Sequence, residues 1–127
     1  MAHGHFVWNE LMTHDVAKAR AFYAATLGWT FEDMAMAEGG VYTVCKSGDK
    51  SVGGIMDANV LPPGTPDVWF AYVDVDDVDA RIAGVAAAGG KVLRPPFDIP
   101  GIGRIAIIED ATGASLGVMT AADWAQG

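Results

Sequence analysis

Apolar and polar residues along this chain switch between two periods. From Phe6 to Thr13, and again from Val68 to Val75, they alternate, with β-branched and aromatic side chains that favour a strand. Each alternating segment runs into a helical spacing. In the first, Val16, Ala19, Tyr23 and Leu27 recur at helical intervals, Asp15 is placed to cap the start, and Gly28 supplies a left-handed stop. In the second, Asp76 or Asp77 is placed to cap, Val78, Ile82, Val85 and Ala86 are the apolar positions, and Gly89-Gly90 end the pattern. Three short strands are expected after each helix: Trp29 to Met36, Gly40 to Lys46 and Ser51 to Met56, then Lys91 to Phe97, Gly103 to Glu109 and Ala114 to Thr120. Gly39-Gly40, Gly48-Asp49, Pro100-Gly101 and Thr112-Gly113 supply turn chemistry at the breaks.

The two sets are one pattern repeated. Laying Asp15-Val16 on Asp77-Val78 gives an offset of 77 − 15 = 62. The same shift carries Leu27-Gly28 onto Gly89-Gly90 and Ser51 to Asp57 onto Gly113 to Met119. The expected fold is therefore α+β, with the order βαβββ twice: module 1 over 5–57 and module 2 over 68–120. Residues 58–67, with Pro62-Pro63-Gly64 and Pro66, are too stiff and too poor in strand formers for an element and read as a linker. Residues 121–127 are a short tail in which Trp124 is placed to anchor against the body or a second subunit. At 127 residues and 51% hydrophobic content there is ample material for one core, so residues 1–127 are expected to form a single domain.

Charge removes some partners. Sixteen acidic against eight basic side chains give a formal net charge of −8, which repels a phosphate backbone, so no nucleic acid is expected. No stretch approaches the roughly 18 apolar residues of a membrane span, and Met1 to Phe6 lack a cationic start followed by an apolar run. A soluble, cytoplasmic protein with no membrane partner is the expectation. The lone Cys45 has no neighbouring cysteine for a zinc or redox motif and reads as a buried or bystander thiol.

Several local patterns resemble a known family. Ala21-Phe22-Tyr23 continuing to Leu27-Gly28-Trp29 is similar to an FYxxxLGW pattern. Glu109-Asp110-Ala111-Thr112-Gly113 looks like an acidic-Asp-Pro-x-Gly turn with Ala111 in place of proline, and Tyr72 to Val78 is also similar. With their order and the repeat, these features make the whole chain resemble the vicinal oxygen chelate superfamily, the glyoxalase, bleomycin-resistance and extradiol-dioxygenase group. The resemblance implies two modules whose sheets curl around a cleft, and a homodimer. It also implies a divalent metal held by four side chains, one from the first and one from the last strand of each module. Those positions fall at Trp8, Phe70, Ile55 and Gly117, none of which carries a metal donor, so no metal and no other cofactor is expected. His3, His5 and His14 do not supply a substitute cluster: His5 alternates away from Trp8 and Glu10, and His14 sits at the strand-to-helix turn.

Alternation proposes what lines the cleft instead. Phe6, Trp8 and Glu10 on the first strand and Phe70 and Tyr72 on its counterpart share a face, and Tyr42 pairs with Arg104 by the 62-residue offset. Aromatic rings with a carboxylate, phenols and a guanidinium suit a flat organic ligand, although Trp8 and Phe70 equally read as filling the space of a metal. Among Trp8, Met12 and Phe70 the Glu10 carboxyl is expected to be desolvated, which raises its pKa and suits it to proton transfer; a structural salt bridge with Arg104 or Arg94 is the other reading. Asp74, Asp76, Asp77 and Asp79 lack calcium-loop spacing and read as a capping cluster. There is no GxGxxG after a strand, no phosphate loop and no GxSxG elbow. The leading expectation is a metal-free protein that binds a small molecule, with Trp8, Tyr42, Phe70, Tyr72 and Arg104 as ligand contacts. Its rival is an enzyme of the same fold, of lyase, isomerase or dioxygenase type, using Glu10 as acid or base or a metal with unrecognised ligands. A regulatory domain with a vestigial cleft is the third.

Overall fold

The structure is a computed structural model, described here for residues 3–36, 39–60 and 62–121. Chain order is β1 (His5–Thr13), α1 (Val16–Leu27), β2 (Thr30–Ala35), β3 (Val41–Ser47), β4 (Lys50–Asp57), a 3-10 turn at Ala58–Val60, β5 (Val68–Asp74), α2 (Val78–Ile82), β6 (Lys91–Ile99), β7 (Gly103–Glu109) and β8 (Ser115–Ala121). All eight strands join one sheet in the order β2-β3-β4-β1-β5-β8-β7-β6. Within each βαβββ module the first and last strands run parallel, β1 with β4 and β5 with β8, because the helix carries the chain across; the hairpins are antiparallel. The modules meet where β1 and β5 pair antiparallel, Trp8 opposite Tyr72 and Glu10 opposite Phe70. Met34 of edge strand β2 reaches Gly101 in the β6–β7 turn, so the sheet curls into a half-barrel.

The two faces of the sheet bury different sets. The concave face holds the main core, including Met12, Tyr42, Met56, Phe70, Tyr72, Phe97, Ile105 and Met119. The convex face carries two smaller clusters, Leu11, Cys45 and Ile55 beneath α1 and Val75, Val78, Ala106 and Val118 around α2. Asp15 caps α1 by accepting from the Lys18 amide at 3.0 Å, and Gly28 ends it with φ 71°. Asp77 caps α2, accepting from the Ala80 amide at 3.2 Å. This second helix is shorter than its spacing predicts. Past Ile82 the chain winds on in tighter turns, with the Gly84 amide donating to Arg81 and the Val85 amide to Ile82, until Gly89. Gly84 in mid-pattern weakens a regular helix there by about 1 kcal/mol.

The repeat is not uniform, and the departures decide which side chains face inward. From β1 to β5 the offset is 62, as expected: Leu11 and Val73 stand beside Ile55 and Val118 respectively. The left-handed glycines that close the helical segments are Gly28 and Gly89, an offset of 89 − 28 = 61. By β3 and β7 it has become 105 − 42 = 63, since Tyr42 and Val44 share the concave core with Ile105 and Ile107. Two register shifts on β6, at Val92/Arg94 and Arg94/Phe97, admit the two extra residues, whereas β2 pairs with β3 without a shift. Pro95 and Pro96 have no amide hydrogen to give a ladder, and β6 is an edge strand where bulges are tolerated. Three sequence expectations are corrected as a result. Leu27-Gly28 does not lie on Gly89-Gly90, the counterpart of Tyr42 is Ile105 and not Arg104, and Ile55 packs under α1 while its neighbour Gly54 faces inward.

Candidate functional site in the concave face

Five of the residues expected inward converge at the β1–β5 junction. Glu10, Tyr42 and Tyr72 are fully buried, Phe70 nearly so, and Trp8 is partly buried against the same core. Glu10 and Tyr72 occupy equivalent positions of the two modules and meet each other: the Tyr72 hydroxyl donates to Glu10 Oε2 at 2.6 Å. Tyr42 arrives from β3, with its hydroxyl accepting from the Trp8 indole at 2.9 Å. Glu10 Oε1 is buried with no hydrogen-bond partner among the described residues.

Glycine makes this arrangement sterically possible. Gly54 stands beside Glu10 in the β1–β4 pair, and a Cβ there would collide with the Tyr42 phenol. Gly117 stands beside Tyr72 in the β5–β8 pair, and a Cβ there would collide with the Tyr72 ring. The two glycines are equivalent at the offset of 63. Each last strand therefore gives up a side chain where a first-strand neighbour and a tyrosine need the space. The family resemblance assigns a divalent metal to Trp8, Phe70, Ile55 and Gly117, and in the structure Gly54 takes the inward place expected of Ile55. Indole, phenyl and two bare glycines provide no donors, so the residues at these positions do not fit a metal.

Electrostatics follow from burial. Desolvation pushes the Glu10 carboxyl up from 4.5 to about 7, although the hydrogen bond from Tyr72, the neighbouring Tyr42 hydroxyl and the charge of Arg94 favour its anion. Both phenols are pushed well above their usual value, by burial first and by the Glu10 carboxylate second. Arg94, whose guanidinium lies 3.8 Å from the Phe97 ring centroid, is the cation among the described residues whose charge favours the Glu10 anion.

Two expected inward residues lie elsewhere. Arg104 is on the convex side of β7, where it donates to Asp79 at 2.7 and 3.1 Å and to Asp98 at 3.1 Å. The one-residue slip of the repeat turned it away from Tyr42. Phe6 is 71% exposed, because a register shift between Phe6 and Trp8 breaks the alternation of β1. The acidic run has mainly structural partners: Asp77 caps α2, Asp76 holds Arg81 and Asp79 holds Arg104, while Asp74 is buried at the end of β5. His14 binds Asp67 at 2.6 Å and His3 meets Asp76 at 3.6 Å, both on exposed surface. Burial of Cys45 pushes its thiol up to about 11. Trp124 lies outside the described residues.

A recess of about 320 Å³ opens beside this centre, lined by Val7, Trp8, Asp74, Gly101, Ile102, Met119 and Ala121. Trp8, Ile102, Met119 and Ala121 belong to both the recess and the core, and the Trp8 indole is the one of them that touches the Tyr42 hydroxyl by a hydrogen bond. Val7, Gly54 and Met119 were not singled out from the sequence as site residues, whereas Arg94 was named as a charge for Glu10 and Gly117 as a position without a metal donor. The Arg94-Pro95-Pro96 run was the one local sign that strand alternation would fail near them.

Comparison with known proteins agrees with this architecture. A family model described as Glyoxalase/Bleomycin resistance protein/Dioxygenase superfamily matches residues 3–118. The chain is 46% identical over 116 residues to "Putative glyoxylase CFP32" of Mycobacterium bovis, covering 91% of this chain and 44% of that protein. It is 32% identical over 123 residues to the anthracycline biosynthesis protein DnrV of Streptomyces peucetius, covering 87% and 45%. It thus spans less than half the length of these relatives. Among solved structures, Streptomyces coelicolor methylmalonyl-CoA epimerase in complex with 2-nitronate-propionyl-CoA superposes with a TM-score of 0.65 at 19% identity, covering 95% of this chain and 99% of that one. The Mycobacterium tuberculosis methylmalonyl-CoA epimerase gives 0.61 at 17%, covering 98% and 92%. At such identities the likeness is one of fold.

Proposed function

The chain belongs to the glyoxalase/bleomycin resistance protein/dioxygenase superfamily, and from that premise we propose that it binds a small, flat, aromatic organic molecule in the concave face of its half-barrel without a metal. The observation that carries the reading is Glu10, a buried carboxyl with one oxygen held by Tyr72 and the other left without a partner among the described residues. A buried polar atom of this kind is costly unless something completes it, by about 1–3 kcal/mol. The ligand enters through the recess beside Trp8, and displacement of the indole from Tyr42 uncovers Glu10 and both phenols. Aromatic walls at Trp8 and Phe70 suit a planar ring system. The name of DnrV adds support, since an anthracycline is a fused-ring aromatic compound.

Filling the recess tests this. In a thermal-shift screen of planar aromatic compounds, hits raise the Tm of the wild-type protein but not of Ala121→Trp, while Arg104→Ala responds as wild type. Hits that stabilise Ala121→Trp equally would place binding elsewhere and sink the reading.

One observation favours an enzyme over a binder. A carboxyl held up to about 7 is half protonated near neutral pH and suits acid–base transfer. On that alternative Glu10→Gln retains a ligand but no longer converts it. The reading also includes a cytoplasmic location, with which a buried free thiol at Cys45 is compatible, and a homodimer. Support for the dimer comes from relatives more than twice this length and from exposed Phe22, Leu27 and Trp69. Sedimentation at the mass of one chain would contradict it.

A further inference from the structure

Resting on the ligand reading above, we infer that the bound molecule presents a carbonyl oxygen to Glu10 and is held by the neutral carboxyl of that residue. The surroundings of Glu10 leave one place for a hydrogen bond. From β5, Tyr72 has already committed its proton to Oε2. From β3, the Tyr42 oxygen already accepts from Trp8, which leaves its own proton to favour the Glu10 anion. From β6, Arg94 acts through its charge. The remaining neighbours are apolar, the core cluster that includes Met12, Met56, Phe70 and Ile105.

A carboxyl that accepts at Oε2 carries its proton, when neutral, on Oε1. That oxygen is buried and has no partner among the described residues, so the neutral acid has a donor with nothing to receive it. A carbonyl oxygen completes it without placing a charge in the apolar core. A ligand hydroxyl would instead donate to the anion, which the apolar walls oppose, and a ligand carboxylate would set two like charges together. Quinone, ketone and amide carbonyls on a flat ring have the required chemistry. The hydrogen bond to the carbonyl then requires a proton on Glu10. Because burial holds this group up to about 7, the affinity added by the carbonyl is constant below that pH and is lost as pH rises above it.

A matched pair of probes tests the carbonyl alone: anthraquinone-2-sulfonate, and anthracene-2-sulfonate, which has the same ring frame and charge without the carbonyls. Titration calorimetry of the full chain from about pH 5.5 to 9 is expected to show the quinone binding roughly tenfold more tightly at low pH. That advantage disappears as pH rises past about 7. Glu10→Gln, whose amide donates in place of the acid, keeps the advantage at every pH, and Glu10→Leu loses it at every pH. A quinone affinity that rises with pH, or an advantage that survives Glu10→Leu, overturns the inference. Equal binding of both probes to wild type also overturns it while leaving the ring-binding reading intact; binding of neither removes both.

Discussion

At the scale of single residues, Glu10 is a group whose environment works against its charge. Its carboxyl is pushed from 4.5 to about 7, so between those values the folded chain keeps a proton that the unfolded chain has released. Stability therefore falls as pH rises through this window, and the contribution is fully present below about 4.5 and lost above about 7. The total is about 3 kcal/mol at about 1.4 kcal/mol per pH unit. Glu10→Gln should remove this slope and be the more stable protein at pH 8, as measured by denaturant unfolding across pH. Parallel pH profiles for the two proteins would contradict the assigned environment. This residue was legible in the sequence because alternation placed a carboxylate among Trp8, Met12 and Phe70. Phe6 and Arg104 were misplaced by the same rule, since one extra residue inverts a strand's faces and the sequence prints no sign of a bulge at Val7.

Elements were read to within one or two residues wherever turn glycines and caps bounded them, as with β3, β7 and α1. What escaped was register, because strand pairing is a relation between distant segments. The counts 62, 61 and 63 along the repeat differ through a shortened second helical segment and two bulges on β6. The glycine seats on β4 and β8 escaped for a related reason: Gly54 and Gly117 become meaningful once Tyr42 and Tyr72 are known to lie over them. They predict an asymmetry among glycine substitutions. Gly54→Ala must displace the Tyr42 phenol and should cost about 1–3 kcal/mol by overpacking. Gly28→Ala meets nothing within 4 Å and strains only a backbone at φ 71°, so it should cost about 1 kcal/mol. Chemical denaturation of the two variants checks the ranking; an equal or reversed cost would mean that Tyr42 is not seated over β4.

For the whole molecule, the repeat does two jobs. It closes a curled sheet over one core, and it brings equivalent positions face to face across β1 and β5, so that Glu10 meets its own counterpart Tyr72. Superfamily membership was legible because order and periodicity survive substitution. The ligand was not, because it depends on which side chains fill the concave face, and those differ from the metal-binding pattern at every one of the four positions. The central claim is that Glu10 is the polar centre of a ligand site, and its own protonation tests that most directly. Carbon NMR of glutamate-labelled protein, with Glu10→Gln to assign the signal, should show a midpoint near 7 that moves upward when anthraquinone-2-sulfonate binds. A midpoint near 4.5, or one that the probe leaves unmoved, would contradict the account.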